Sequence, residues 1–405
     1  MAAHICSMLG SFTYAALLPE LRDLWALSNS QAGVIGGVFF AGYVATVSLW
    51  TALTDRVDGR WIYAAGSALT VAGSAGFGLF ADGFVSAIVF QVLLGTGIAG
   101  TYMPGLRLLS DRLSGPMQSR YVASYTAFFG IGTALSYAIP GFMAPVLGWR
   151  AAFVFVAVGP LLAGLLVFFG LSAKGKSEEE RKNEDAIKGE QKARISLETL
   201  FPVRAWRRVL ADRACAGYTL GYAVHCLELF GSRAWMVAFL AFSSSLHTGS
   251  TFPWPAAAIA AVVNLFAVPA SIFGNEVALR IGRRRWILIA MVASGASGLL
   301  LALGAAWHWS LVIFILVAYS MLVMAESGTL TAGLVAAAPG ELRGAAMGLY
   351  SLIGFGGGML GPVVFGAALD AAGGASSWGA WIAGYAAIGA GVLAAPLVVR
   401  RYARG

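Results

Sequence analysis

The chain has 405 residues, of which 59% are hydrophobic and 11% charged, and its net charge is +8. A soluble domain carries about a quarter charged residues, so most of this surface faces something other than water. The positive balance does not point to nucleic acid, because the basic residues stand in short turns between apolar runs and not on one soluble face.

A bilayer crossing takes roughly 20 mostly apolar residues, and twelve stretches qualify. Span 1 is expected at about 3–19 and span 2 at about 31–52. The first run begins almost at Met1 and lacks the basic n-region of a signal peptide, so it is expected to be retained as a helix. A tight charged turn follows span 2, Leu53-Thr54-Asp55-Arg56-Val57-Asp58-Gly59-Arg60. Span 3 covers about 61–80, span 4 about 84–109, span 5 about 119–143 and span 6 about 149–172. Composition then changes. From Lys174 to Arg213 the chain is dense in Lys, Glu and Arg, which predicts a solvated linker, partly helical. Spans 7 to 12 follow at about 214–241, 254–279, 286–304, 310–336, 345–369 and 378–399. The domain boundaries are therefore 1–172, a linker at 173–213, and 214–405.

Lys and Arg orient the chain. Of the 27, Arg22 and Arg150 sit in loops on one side and Arg107 and Arg233 within spans, while the remaining 23 lie in the opposite loops, the linker and the tail. Both termini and the linker are expected to be cytoplasmic, in a multi-pass protein of the cell inner membrane. The two halves also repeat. The charged turn returns as Gly274-Asn275-Glu276-Val277-Ala278-Leu279-Arg280-Ile281-Gly282-Arg283-Arg284-Arg285. Arg120 and Arg343 stand in matching loops, followed by Gly130-Ile131-Gly132 and Gly354-Phe355-Gly356, then by Pro140-Gly141 and Gly361-Pro362. Such duplication is common in membrane transporters.

These motifs give the chain a resemblance to the major facilitator superfamily over essentially its whole length. Asp55-Arg56…Gly59-Arg60 resembles the family's G-x-x-x-D-R-x-G-R-R turn, with Asp58 inserted and no leading glycine. Gly148-Trp149-Arg150-Ala151-Ala152-Phe153 is similar to a common pattern before the sixth helix. The fourth-helix R-x-x-x-G-x-G appears with Gln91 in place of arginine, which argues against proton antiport of the kind that arginine serves. Span 7, from His225 to Trp235, is faintly similar to cyanate and nitrate-type branches. The resemblance implies an all-α membrane protein with twelve helices in two six-helix lobes. It also implies a cavity lined by spans 1, 4, 7 and 10. The cytoplasmic gate would be formed by Asp55, Arg56, Gly59 and Arg60 with Arg120, Arg280 and Arg343.

Ionisable residues inside spans indicate where function lies. A charge at the bilayer centre costs about 2.5–3.5 kcal/mol on insertion scales and needs a partner or a wet cavity. Glu228 and Glu326 fall near mid-span, and His225 precedes Glu228 by three, so those two share a helix face. Arg233 stands further along span 7, toward the outer side, and Arg107 near the cytoplasmic end of span 4; for each, snorkelling to the surface competes with a functional role. Tyr14 and Asn264 read as packing residues. Gly95-Thr96-Gly97-Ile98-Ala99-Gly100 spells a dinucleotide fingerprint but lies inside an apolar helix, where close packing explains it. Cys6, Cys215 and Cys226 show no paired spacing, and no metal-binding, P-loop or nucleophile-elbow motif occurs, so neither an enzyme, a cofactor nor a metal is expected.

The expected function is secondary transport of a small solute by alternating access, with proton-coupled uptake of a small organic or inorganic anion as the first reading. Glu228, Glu326, His225, Arg233 and Arg107 would bind substrate or proton, in a protein expected to be monomeric. Efflux of an amphipathic compound, or a membrane sensor that transports nothing, are the alternatives.

Overall fold

The computed structural model describes residues 1–54, 56–113, 115–172, 201–247 and 252–402. Among them there are helices and turns and no strand. The elements are α1 (Ala2–Ser7), α2 (Thr13–Leu24), α3 (Asn29–Leu53), α4 (Gly59–Phe80), α5 (Phe84–Ser110), α6 (Gly115–Val156) and α7 (Val158–Gly170). After the linker come α8 (Val203–Ala211), α9 (Arg213–Ser245), α10 (Ala256–Ile281), α11 (Arg283–Leu303), α12 (Trp309–Ala325), α13 (Ser327–Ala337), α14 (Arg343–Ala371) and α15 (Trp378–Tyr402).

Among the described residues, nine helices are long and apolar enough to cross a membrane, and Trp378–Leu393 is a shorter apolar one. Several predicted spans are refined. Span 1 divides into α1 and α2 and runs past Pro19 to Leu24. Spans 5 and 6 remain two helices within the range of α6, separated by a kink at Gly148, whose φ of +81° is a conformation open to glycine. Span 10 runs from α12 through Glu326, whose backbone stays helical, into α13 as one stretch of Trp309–Ala337. Most of the linker lies outside the described residues, and its last part forms α8. Large apolar side chains such as Val146, Phe169, Val85 and Phe80 are exposed, as a lipid-facing surface requires.

Helix starts follow their capping residues. At α3 the Ser28 hydroxyl accepts from the Gln31 amide at 3.1 Å, and the Gln31 side chain accepts from the Ser28 amide at 2.9 Å. Asp58 and Asp212 cap α4 and α9, accepting from the backbone N–H groups of Arg60 and Cys215. Asp58 and Arg60 also form an ion pair at 2.9 Å.

α9 is the central helix. Its most apolar stretch is 89% buried, against 44–56% for the other eight. It packs on α14, α15, α13 and α2. Gly357 and Gly361 of α14 let that helix approach the α9 backbone at Ala223 and Leu227, where a Cβ would collide with carbonyl oxygens.

Residues 1–172 and 201–402 meet mainly along two seams, α3 with α14 and α6 with α10, and α2 also packs on α9. α3 and α14 run antiparallel. Their contacts extend from Asn29 and Asp370 at one end, through Gly33 against Pro362, to Tyr43 and Phe355, whose rings lie 4.8 Å apart. We call the Asp370 end the far end, and the end holding the α3–α4 turn and α8 the linker end. Gly348 lies seven residues before Phe355, on the same face of α14, yet among the described residues nothing stands within 4 Å of its Cβ position. The seam is therefore closed at the far end and parts toward the linker end.

Candidate functional site

The polar core of the bundle is built on one face of α9. His225 and Glu228 stand three residues apart, one turn of helix and about 4.5 Å of axial rise. Both are buried, at 0% and 1% exposure. His225 Nδ1 lies 2.9 Å from Glu326 Oε1, and Glu326 is itself fully buried. One proton must lie between a ring nitrogen and a carboxylate oxygen at that distance. The pair therefore holds a net charge of zero or minus one, depending on whether a second proton is present.

Glu326 stands where α12 passes into α13; its backbone stays in the helical region at φ −92° and ψ −21°, and its carbonyl accepts from the Leu330 N–H, so the span continues through a local irregularity. Two contacts bear on the residue before it. Trp286 Nε1 donates to the Ala325 carbonyl at 3.0 Å, and Gly274 of α10 packs so closely on that carbonyl that no Cβ would fit. Among the described residues, Glu326 Oε2, His225 Nε2 and, one turn on, Thr329 Oγ1 are buried without a hydrogen-bond partner. Unsatisfied buried polar atoms are rare and call for a functional account.

Glu228 is held separately. Ser294 of α11 donates to Glu228 Oε2 at 2.9 Å, with the Tyr319 hydroxyl of α12 beside the carboxylate. Tyr222 stacks between Tyr350 and His225, with centroid separations of 3.9 and 5.6 Å. The acids therefore sit within the second half of the chain, behind α9.

Arg233 lies elsewhere on that helix. Five residues past Glu228 it is turned by about 140°, and it lies beside Tyr137 of α6, whose hydroxyl donates to the Arg233 carbonyl at 2.7 Å. Its side chain is buried, and among the described residues Nε has no hydrogen-bond partner. Among the described residues no ion pair joins Arg233 to Glu228. Nearby, Phe12, Tyr14, Phe39 and Phe40 face Phe230 and Ala234 across a void of 20 Å³ between the halves.

The other expected site residues lie apart from this core. Arg107 is at the linker end, where Nη1 donates to Thr54 Oγ1 at 2.7 Å and Nε lies 3.8 Å from Asp111. Its side chain is 40% exposed, as the snorkelling reading expects. Of the expected gate residues, Asp55 lies outside the described residues, and so does the side chain of Arg120. Arg60 binds Asp58 and the Leu171 carbonyl, and Gly59 packs on Leu108, so both tie the α3–α4 turn to its own half. Arg56, Arg280 and Arg343 are exposed at the linker end. Tyr14 donates to the Ala32 carbonyl, as a packing residue would, while Asn264 donates to the Ala260 carbonyl and, among the described residues, its buried Oδ1 has no partner. Gly95 and Gly97 face the backbones of Phe39 and Thr70 and serve helix packing. The sequence reading missed Ser294, Tyr319 and Tyr222, whose only signal was a polar group within an apolar run.

The profile of the Major Facilitator Superfamily matches residues 1–362. The chain belongs to that superfamily. Members of the family are transporters and not enzymes. Protein spinster of Drosophila melanogaster is 23% identical over 252 residues, which cover 61% of this chain and 39% of the relative. The chain thus spans about two-fifths of that relative's length. A putative tartrate transporter of Agrobacterium vitis is 27% identical over 312 residues, covering 72% of this chain and 67% of the relative. Among solved structures, a bacterial homologue of the human lysosomal transporter Spinster superposes with a TM-score of 0.70 at 16% identity, covering 99% of this chain and 94% of that one. That likeness establishes a shared fold.

Proposed function

We propose that this protein is a secondary transporter that takes up a small organic anion together with protons. Two lobes, residues 1–172 and 214–405, would rock about the seams and expose the centre to each side in turn, with residues 173–213 as the link. The single observation that carries the reading is the fully buried His225–Glu326 pair, 2.9 Å apart in the middle of the bundle. Buried ionisable pairs within membrane spans mark ion and proton pathways in transporters. A carboxylate there changes charge when it takes a proton, and that change can bias which way the lobes lean.

The roles divide over the two faces of α9. His225, Glu326 and Glu228 carry protons behind the helix, and Arg233, with a free Nε at the junction of the halves, holds the anion. The tartrate transporter among the relatives makes small dicarboxylates the first substrates to test. With the arginine-rich linker end in the cytoplasm of an inner-membrane protein, a seam closed at the far end corresponds to an inward-facing state. The apolar lining by Phe12, Phe39, Phe40 and Phe230 favours one second reading, efflux of an amphipathic compound.

The test is radiolabelled dicarboxylate uptake into proteoliposomes with an imposed proton gradient. Accumulation that requires an acidic exterior is expected. Accumulation of an amphipath against an opposite gradient, with no dicarboxylate uptake, would replace the first reading with the second. No flux of either would leave only a sensor.

A further inference from the structure

One carboxylate outside the polar core joins the two halves at the far end. Asp370 is in the last turn of α14, one residue before its end. Its Oδ1 accepts from the Asn29 backbone N–H at 3.0 Å and from Asn29 Nδ2 at 2.8 Å. Its Oδ2 accepts from the Ser30 backbone N–H at 2.7 Å and from Ser30 Oγ at 2.6 Å. The two amides belong to the first turn of α3, where backbone N–H groups have no partner within the helix and carry partial positive charge. Arg22 Nη1 donates to Asn29 Oδ1 at 3.3 Å, which turns the Asn29 amide so that its NH₂ faces Asp370. One turn before Asp370, Gly366 lies against the Asn29 carbonyl, where a Cβ would not fit.

On its own helix this acid is misplaced. A negative charge in a last helical turn opposes the helix dipole. Nothing in α14 compensates it, and four donors from α3 do. The carboxylate is therefore better satisfied when the helices are joined than when they part, which is the property a latch needs. The expected linker-end turn is not required for this contact, because every donor lies within residues 22–30.

We propose that Asp370 is the far-end gate residue of the transport cycle. It latches the first turn of α3 and holds the far-end mouth closed while the linker end is open. Release of the latch exposes the centre to the opposite side. The proposal rests on the alternating-access reading above, but its readout needs no substrate.

The experiment is pulsed electron–electron spin resonance on purified full-length protein in nanodiscs. Spin labels are placed at Phe80→Cys and Leu303→Cys, two exposed positions at the far ends of α4 and α11, with Cys6, Cys215 and Cys226 replaced by alanine. Asp370→Asn is nearly isosteric but turns a donor toward one of the α3 amides. It should populate a longer far-end distance, raising the open-to-closed ratio by about tenfold. Asp370→Ala should do the same. Asp58→Asn, a cap confined to the first half, should leave the distribution unchanged. Ser30→Ala removes a single donor and should give a smaller shift in the same direction. Unaltered distance distributions in both Asp370 variants, with the proteins eluting as folded monodisperse species, would overturn the proposal and reduce the contact to a static staple. A lengthened distance without any solute flux would support the latch while removing the transporter reading, so the two can fail separately.

Discussion

Replacing Glu326 by glutamine tests the coupling site with little disturbance of its shape. The amide is isosteric with the carboxyl, and its NH₂ can donate to His225 Nδ1 across the same 2.9 Å. It cannot gain or lose a proton. In the wild type, each proton moved with substrate down a gradient of about one pH unit supplies about 1.4 kcal/mol, or roughly tenfold accumulation. If the His225–Glu326 pair and Glu228 each carry one, the limit is about a hundredfold at the same gradient. Glu326→Gln should therefore lower the steady-state ratio by at least about tenfold, while exchange of labelled for unlabelled substrate continues. The assay is uptake into proteoliposomes with the membrane potential clamped and the external pH stepped. The signature sought is a change in the slope of accumulation against the pH difference, together with preserved exchange. Full accumulation with an unchanged slope in both Glu326→Gln and Glu228→Gln would refute the proton role of these acids. Loss of exchange along with accumulation would show a damaged binding site, and His225→Gln would then separate the two effects.

Three further outcomes follow from the same geometry. Arg233→Gln should weaken anion binding by tenfold or more and Arg233→Lys by less, because lysine keeps the charge but loses the planar fork; isothermal titration with dicarboxylates reads this, and equal affinities in all three proteins would remove Arg233 from the site. Asp58→Ala should lower stability by about 1 kcal/mol at neutral pH through the lost cap on α4. Partial burial pushes the Asp58 carboxyl up, but hydrogen bonds from Arg60 and the charges of Arg60 and Arg112 outweigh it and hold the carboxyl below its ordinary 3.8. That contribution is present above the ordinary value and is lost as pH falls through the lowered one. The difference in melting temperature between wild type and Asp58→Ala should therefore narrow only below pH 3.8; a gap that closes already at pH 6 would contradict it. Gly66→Ala should destabilise by about 1–3 kcal/mol, since a Cβ there meets the Gly100 backbone of α5. Gly344→Ala, with nothing within 4 Å, should be neutral or slightly stabilising in the same thermal melt.

Much of the fold could be read locally. An apolar run long enough to cross a bilayer must satisfy its own backbone hydrogen bonds, so it becomes a helix whatever its neighbours do. The spans around α3, α4, α5, α9, α10, α11 and α14 accordingly stand within a few residues of their predicted bounds. The cost of burying charge likewise singled out His225, Glu228, Arg233 and Glu326 from position alone. Contacts that reach a span from other helices were less legible. Nothing in Met324-Ala325-Glu326-Ser327-Gly328 announces that Trp286 and Gly274 meet the Ala325 carbonyl there.

Which charges meet was decided only by tertiary structure. Five ionisable residues in spans suggested one mixed cavity, because sequence places a residue at a depth but not on a side of the bundle. Packing turns the α9 face of His225 and Glu228 toward α11–α13 and leaves Arg233 beside α6, while Arg107 stays with Thr54 at the linker end. The His225–Glu326 contact closes a separation of 101 residues, and the Asp370–Asn29 contact one of 341. No periodicity or local propensity encodes such pairs. The Asp370–Asn29 pair meets because glycines on α3 and α14 let two backbones approach, and the buried Glu326 carboxylate is stable because a partner on another helix reaches it.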